Sequence, residues 1–196
     1  MSDKETVAVY DAKAEEYAKL VSIDKPDQDL QRFMDTLPNG GRVLDWGCGP
    51  ANSAAMMRQA GFDVVATDAS AEMVRLAKEK FNFDVRQEKF EALTEVATFD
   101  AIWSNFALLH APREDFPKHL SAARKALKPS GIFHLGMKLG HDQERDAIGR
   151  FYVYYSLHDL KRHLETAGFT VAHERQGKTV GLSGQTDPFA ILLCNA

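Results

Sequence analysis

The chain has 196 residues, of which 44% are hydrophobic and 27% charged, a size and composition that suit one globular domain with a sizeable core. Its net charge of −4 offers no basic face for nucleic-acid phosphates, so no nucleic-acid partner is expected. No apolar run approaches membrane-spanning length, Met1–Glu5 lacks the pattern of a signal peptide, and Cys48 and Cys194 lie too far apart to form a metal-ligand pair; the expectation is a cytoplasmic protein with free thiols, no membrane contact and no metal.

One domain over residues 1–196 is expected, with a helical region at 1–38 ahead of an α/β core at 39–196. The first predicted helix, Val7–Val21, repeats Tyr10, Ala14, Tyr17 and Leu20 at spacings of four and three on one face. Asp24-Lys25-Pro26 separates it from a second helix over Asp27–Leu37. Such a helix outside the core either covers a ligand cleft or packs on the sheet, and both readings stand. From residue 42 onward, strands and helices alternate, the pattern of a largely parallel sheet covered on both faces. The predicted strands are Arg42–Trp46, Phe62–Thr67, Phe83–Gln87, Phe99–Trp103, Gly131–Met137, Phe169–Glu174 and Phe189–Cys194. The predicted helices are Ala51–Ala60, Ala71–Lys80 with Ser70 as N-cap, Arg113–Leu127, and Leu157–Ala167 with Gly168 closing its C-terminus. Glycines cluster in Gln176–Asp187, which reads as a mobile loop between the last two strands.

The chemistry concentrates at Arg42–Pro50. There an apolar strand runs through Asp45 into Gly47 and Gly49, and glycine permits backbone to approach a ligand closely. A dinucleotide fingerprint needs a third glycine, and Asn52 stands in its place. Asp45 would repel a pyrophosphate and suits a ligand carrying positive charge, which disfavours a nicotinamide oxidoreductase. Asp68 ends the second strand 21 residues after Gly47, the interval of a ribose-binding acid; its alternative role is a helix cap.

With VLDWGCGP at 43–50, ATDAS at 66–70, FDAIWSNFALLH at 99–110, ALKPSGIFHLGMK at 126–138 and Gly168-Phe169, the chain resembles the class I S-adenosylmethionine-dependent methyltransferases over residues 43 to about 175. The resemblance implies a Rossmann-like, seven-stranded, mostly parallel sheet with helices on both faces and an antiparallel last strand beside the fifth. It implies S-adenosyl-L-methionine as cofactor and S-adenosyl-L-homocysteine as product. Gly47 and Gly49 would lie under the methionine end, with Asp45 orienting it through its ammonium or a water. Asp68 would hold the ribose hydroxyls, Ala69 and Met73 would line the adenine, and Tyr17 would close over the cofactor. Ser104, with Asn105, would approach the sulfonium. Two departures stand out: Ala51 replaces the third family glycine, and Lys89 stands where the family often has an adenine-binding acid, leaving adenine to the Phe90 backbone or to Glu88.

The implied activity is methyl transfer to a small-molecule acceptor by in-line displacement. His110 is the candidate base or orienting group, or else it supports the turn before Ala111-Pro112. Tyr10, His110, Lys138 and Arg150 are candidate substrate contacts. Lys138, His141, Arg145, Arg150 and Tyr152 flank the end of the fifth strand, and the fixed charges of Lys138, Arg145 and Arg150 suit an anionic acceptor; the alternative is a solvated surface balanced by Asp142, Glu144 and Asp146. Trp103 and His134 read as core residues. A protein or nucleic-acid methyltransferase, or a non-catalytic S-adenosylmethionine-binding module, remains an alternative; the oligomeric state is left open.

Overall fold

The computed structural model describes residues 3–21 and 24–196, so the expectations for Met1–Glu5 and for region 1–38 fall partly outside the described residues. Seven strands make one sheet: β1 (Arg42–Trp46), β2 (Asp63–Asp68), β3 (Arg86–Gln87), β4 (Phe99–Asn105), β5 (Leu127–Lys138), β8 (Thr170–Val180) and β9 (Thr186–Asn195). Their order is β3-β2-β1-β4-β5-β9-β8, with β1 to β5 parallel and β9 antiparallel to both neighbours. The last strand thus sits beside the fifth, as expected. The order reverses between β1 and β4, which opens a crevice at their carboxyl ends.

Helices α1 (Lys4–Ala12), α2 (Ala14–Leu20), α3 (Gln28–Asp35), α4 (Asn52–Gln59), α5 (Ala71–Phe81), α6 (Phe116–Ala126) and α7 (Leu157–Thr166) surround it. On one face Leu44, Trp46, Phe133 and Leu135 pack with Phe116, Leu120, Leu160 and Leu164 of α6 and α7. On the other, Val43, Ala101 and Trp103 meet Leu30, Phe33 and Met34 of α3 and Met57 of α4. The His134 ring stacks on Trp103 at 3.5 Å between centroids, a core position for both.

Three segments differ from the sequence expectation. The helix expected over Val7–Val21 breaks at Lys13, which leaves the helical region of backbone space. The break lets Ala14 and Ala18 of α2 bury their small side chains against Met73 and Leu76 of α5. The glycine-rich loop expected over Gln176–Asp187 is instead a hairpin: β8 and β9 stay paired out to Val180 and Thr186. Gly177 makes this possible, since a Cβ there would stand 2.7 Å from the Phe189 ring. Residues 138–156, for which no element was expected, contain a second small sheet of β6 (Gln143–Arg145) and β7 (Phe151–Val153). Among the described residues no helix is long and apolar enough to cross a membrane, and no cluster of His, Cys, Asp or Glu has the makings of a metal site.

Candidate active site

The crevice begins at the glycine turn after β1. Gly47 and Cys48 donate their N–H groups to the Thr67 carbonyl at 2.9 and 3.0 Å, which docks the turn on the end of β2. Gly47 has φ +79°, and a Cβ there would collide with the Ala107 methyl and lie 3.3 Å from the Phe90 ring. Gly49, at φ +55°, donates its N–H to Asp68 Oδ2 at 2.8 Å. The Ser70 N–H donates to Asp68 Oδ1 at 2.9 Å, so Asp68 supports the turn while each oxygen keeps a lone pair for a ligand. Ala51, where the family places glycine, takes φ +64° with its methyl fully buried.

Asp45 is 2% exposed, and its Oδ2 has no hydrogen-bond partner. Burial, reinforced by the Asp68 carboxylate, pushes its pKa up to about 8, with the Ala54 N–H partly opposing. A buried carboxylate with an orphan oxygen suits a cationic ligand group such as an ammonium.

A cleft extends from this turn past Asp68, Ala69, Met73, Glu88 and Phe90. Beside it lies a second, which reaches Asp45, Trp103, Lys138, Arg150, Tyr152 and the tip of the β8–β9 hairpin. Tyr10, Tyr17, Gly47, Gly49 and Asn105 line both, so the two adjoin under α1 and α2. Glu88 and Phe90 face the cleft, whereas Lys89 is exposed. Ser104 is corrected: it is fully buried, does not line either cleft, and donates its hydroxyl to the Trp46 carbonyl at 3.3 Å. Alternation along β4 points the next side chain, Asn105, toward the crevice instead.

On the far side, a chain of hydrogen bonds joins three candidate residues. Arg150 Nη1 donates to the Tyr10 hydroxyl at 3.1 Å, and that hydroxyl donates to His110 Nε2 at 2.9 Å. His110 Nδ1 lies 2.6 Å from the Phe151 carbonyl, which only accepts, so Nδ1 carries the proton and Nε2 the lone pair. Burial lowers the His110 pKa to about 3, with the Phe151 hydrogen bond opposing and Arg150 and Lys138 adding to the fall. His110 is therefore neutral with both nitrogens engaged. It orients Tyr10 and is a poor general base.

Lys138 and Arg150 are no solvated surface. Arg150 is 2% exposed, bonded through Nε and Nη2 to Asp146 Oδ2 at 2.9 and 2.7 Å, and stacked near the Tyr10 and Tyr152 rings. Lys138 is 6% exposed, 2.6 Å from Asp187 and 4.1 Å from the centre of the Tyr152 ring. His141 stands in the exposed turn, and the half-exposed Arg145 pairs with Asp3 at the start of α1. Sequence reasoning passed over Thr6, Asp11, Gly181 and Asp187. Thr6 Oγ1 accepts from the Phe151 N–H and Asp11 accepts from Ser70, tying α1 to both walls. Each depends on a partner far away in the chain, and no local motif marks them.

Residues 43–131 match a family described as a methyltransferase domain. An uncharacterized methyltransferase of Staphylococcus carnosus is 27% identical over 131 residues, 66% of this chain and 63% of that protein. A trans-aconitate 2-methyltransferase of Variovorax paradoxus is 34% identical over 122 residues, 58% of this chain and 44% of that protein. The chain thus spans less than two thirds of the length of these curated relatives. Among solved structures, a Burkholderia thailandensis 1,6-didemethyltoxoflavin-N1-methyltransferase with bound 1,6-didemethyltoxoflavin and S-adenosylhomocysteine superposes with TM-score 0.70. The superposition covers 96% of this chain and 87% of that one at 19% identity, a likeness of fold.

Proposed function

We infer from its membership of the class I S-adenosylmethionine-dependent methyltransferases, carried by the domain at residues 43–131 and by the fold, that this chain binds S-adenosyl-L-methionine and methylates a small molecule. The observation that carries the reading is the orphan carboxylate of Asp45, buried beside the glycine cradle of Gly47 and Gly49. In this reading Asp45 holds the cofactor ammonium and Asp68 the ribose hydroxyls, while Ala69 and Met73 line the adenine. Glu88 supplies the acceptor for the adenine amino group in place of Lys89, next to the Phe90 backbone. When bound, the cofactor supplies an electrophilic methyl group and leaves as S-adenosyl-L-homocysteine.

The protein's own work is positioning and exclusion of water. Tyr10 and Tyr17 cover the crevice as a lid carried by α1 and α2. His110 fixes the Tyr10 hydroxyl, so its proposed role is that of a positioning residue. Asn105 alone keeps the place at the reacting centre that the resemblance gave to Ser104 and Asn105 together. A small acceptor fits a space closed above by the lid and at the side by the β8–β9 hairpin. The trans-aconitate methyltransferase relative likewise acts on a small molecule. The two free thiols, Cys48 and Cys194, accord with a cytoplasmic location.

Isothermal titration calorimetry tests the reading. S-adenosylmethionine and S-adenosylhomocysteine are expected to bind and NADH is not; NADH binding without the other two would overturn it.

A further inference from the structure

The acceptor side of the crevice holds two buried cations that converge on one point. The position a Cβ would take on Gly181 lies 3.4 Å from Lys138 Nζ and 4.0 Å from Arg150 Nη2, so with no side chain on Gly181 both cation heads stay open to the cleft that all three line. Neither cation is exhausted by its counter-ion. Lys138 has three N–H donors and one carboxylate partner, Asp187; Arg150 spends three of its five on Asp146 and Tyr10. The Tyr10 and Tyr152 rings form the walls, so a ligand polar group between them would be held in a largely dry site.

We propose that Lys138 and Arg150, with Gly181 leaving room between them, seat a carboxylate of a small organic acid, and that the methyl group is delivered to this carboxylate. The proposal rests on the methyltransferase reading above and adds the acceptor class. A second feature supports it independently. Around the seat, Asp146 is hydrogen-bonded by Arg150, Asp187 faces Lys138 as its counter-ion, and His110 has both nitrogens bonded, to the Tyr10 hydroxyl and the Phe151 carbonyl. Asp45, whose Oδ2 is unpartnered, is in the proposed reading taken by the cofactor ammonium. An alcohol or an ammonium would have to lose a proton there; a carboxylate arrives without one. The cations fix one carboxylate oxygen and leave the other to attack. That oxygen forms a bond to the methyl carbon as the carbon–sulfur bond breaks, and the bonding pair stays on sulfur. The products are a methyl ester and a neutral thioether, and no proton is gained or lost.

The experiment uses cofactor carrying a labelled methyl group and two acceptor pools offered in parallel, a protein-free metabolite extract and the added protein fraction of the same lysate. Transfer of label to small molecules from which alkali releases it as volatile methanol is expected, since methyl esters hydrolyse in this way. Alkali-stable label would overturn the carboxylate assignment while leaving methyl transfer in place. Label found only on added protein would overturn the small-acid assignment. Cofactor binding with no transfer to either pool would overturn the methyltransferase reading and this proposal with it. With the purified acid, Lys138→Met is expected to raise KM about ten- to hundred-fold, the loss of one charge-assisted contact, with S-adenosylhomocysteine affinity kept within about twofold. Gly181→Ala, which narrows the seat by one methyl group at van der Waals distance from Lys138 Nζ, is expected to raise KM in the same direction. Unchanged KM in both variants would remove the seat.

Discussion

At the scale of single residues, the unpartnered Asp45 carboxylate makes a prediction about protons. In the ligand-free protein burial and the Asp68 charge hold its pKa near 8, so at about pH 7 it is mostly protonated. A cofactor ammonium favours the ionised form, and binding must therefore expel a proton. Calorimetry at about pH 7 in buffers of different ionisation enthalpy is expected to report release approaching one proton. Asp45→Asn is expected to abolish it and to weaken binding roughly ten- to hundred-fold. His110 has the opposite sign. Its pKa falls from 6.5 to about 3 on folding, so the stability it contributes is present above about pH 6.5 and drains away as pH drops toward 3. His110→Gln is expected to flatten that part of the stability–pH curve in denaturant titrations and to leave no new limb in the activity profile above neutrality. The place of Asp45 beside the glycine turn is legible in sequence because it stands two residues before Gly47. The His110 role is not, because Tyr10 and Phe151, which engage its two nitrogens, lie 100 and 41 residues away.

At the scale of elements, the glycine turn and the lid are held by different forces. The turn is held by shape: a methyl group at Gly47 would collide with Ala107 and demand an unfavourable positive φ. Gly47→Ala is expected to cost about 2 kcal/mol or more of stability, read by denaturant unfolding, and to abolish cofactor binding in calorimetry. The lid is held by the packing of Ala14 and Ala18 on α5 and, along α1, by a few polar contacts: Asp3 to Arg145, Thr6 to the Phe151 N–H, and Asp11 to Ser70. Thr6→Val removes the middle contact. It is expected to speed hydrogen exchange in α1 and α2 selectively, leaving β1, β4 and β5 unchanged by mass spectrometry. The strand–turn–helix unit was readable down to Ala51, whose φ of +64° shows the backbone kept the glycine conformation without the glycine. The β8–β9 hairpin was not readable, because its glycines look like a loop. Only Phe189, laid across Gly177 from the other strand, makes them an extension of the sheet.

At the scale of the whole molecule, a largely parallel sheet covered on both faces follows from the alternation of apolar runs and helices, since parallel neighbours need crossovers. The antiparallel last strand beside the fifth is legible only through the family resemblance, and the site's place at the carboxyl ends of the strands follows from the parallel arrangement. What alternation does not encode is the closure of the crevice by pieces outside it: α1, the β6–β7 insert and the hairpin tip. Those pieces couple the ligand to global stability, because α1 is bonded to β7 through Thr6 and to the start of α5 through Asp11. In the proposed reading a ligand in the crevice contacts the turn after β1, the end of β2 and the lid together, so unfolding any of them would release it. Mass action then sets the size of the effect. At a concentration about 100 times its dissociation constant, a ligand that binds only the folded state stabilises it by about 2.7 kcal/mol. For a chain of this length each kcal/mol moves the melting temperature by about 2–4 °C, giving a rise of roughly 5–10 °C. Differential scanning calorimetry is expected to show that rise with S-adenosylhomocysteine as a shift of the whole transition, and no shift with NADH. Splitting of the transition into separate lid and core steps, with only the lid responding to ligand, would show instead that the crevice is not tied to the sheet beneath it.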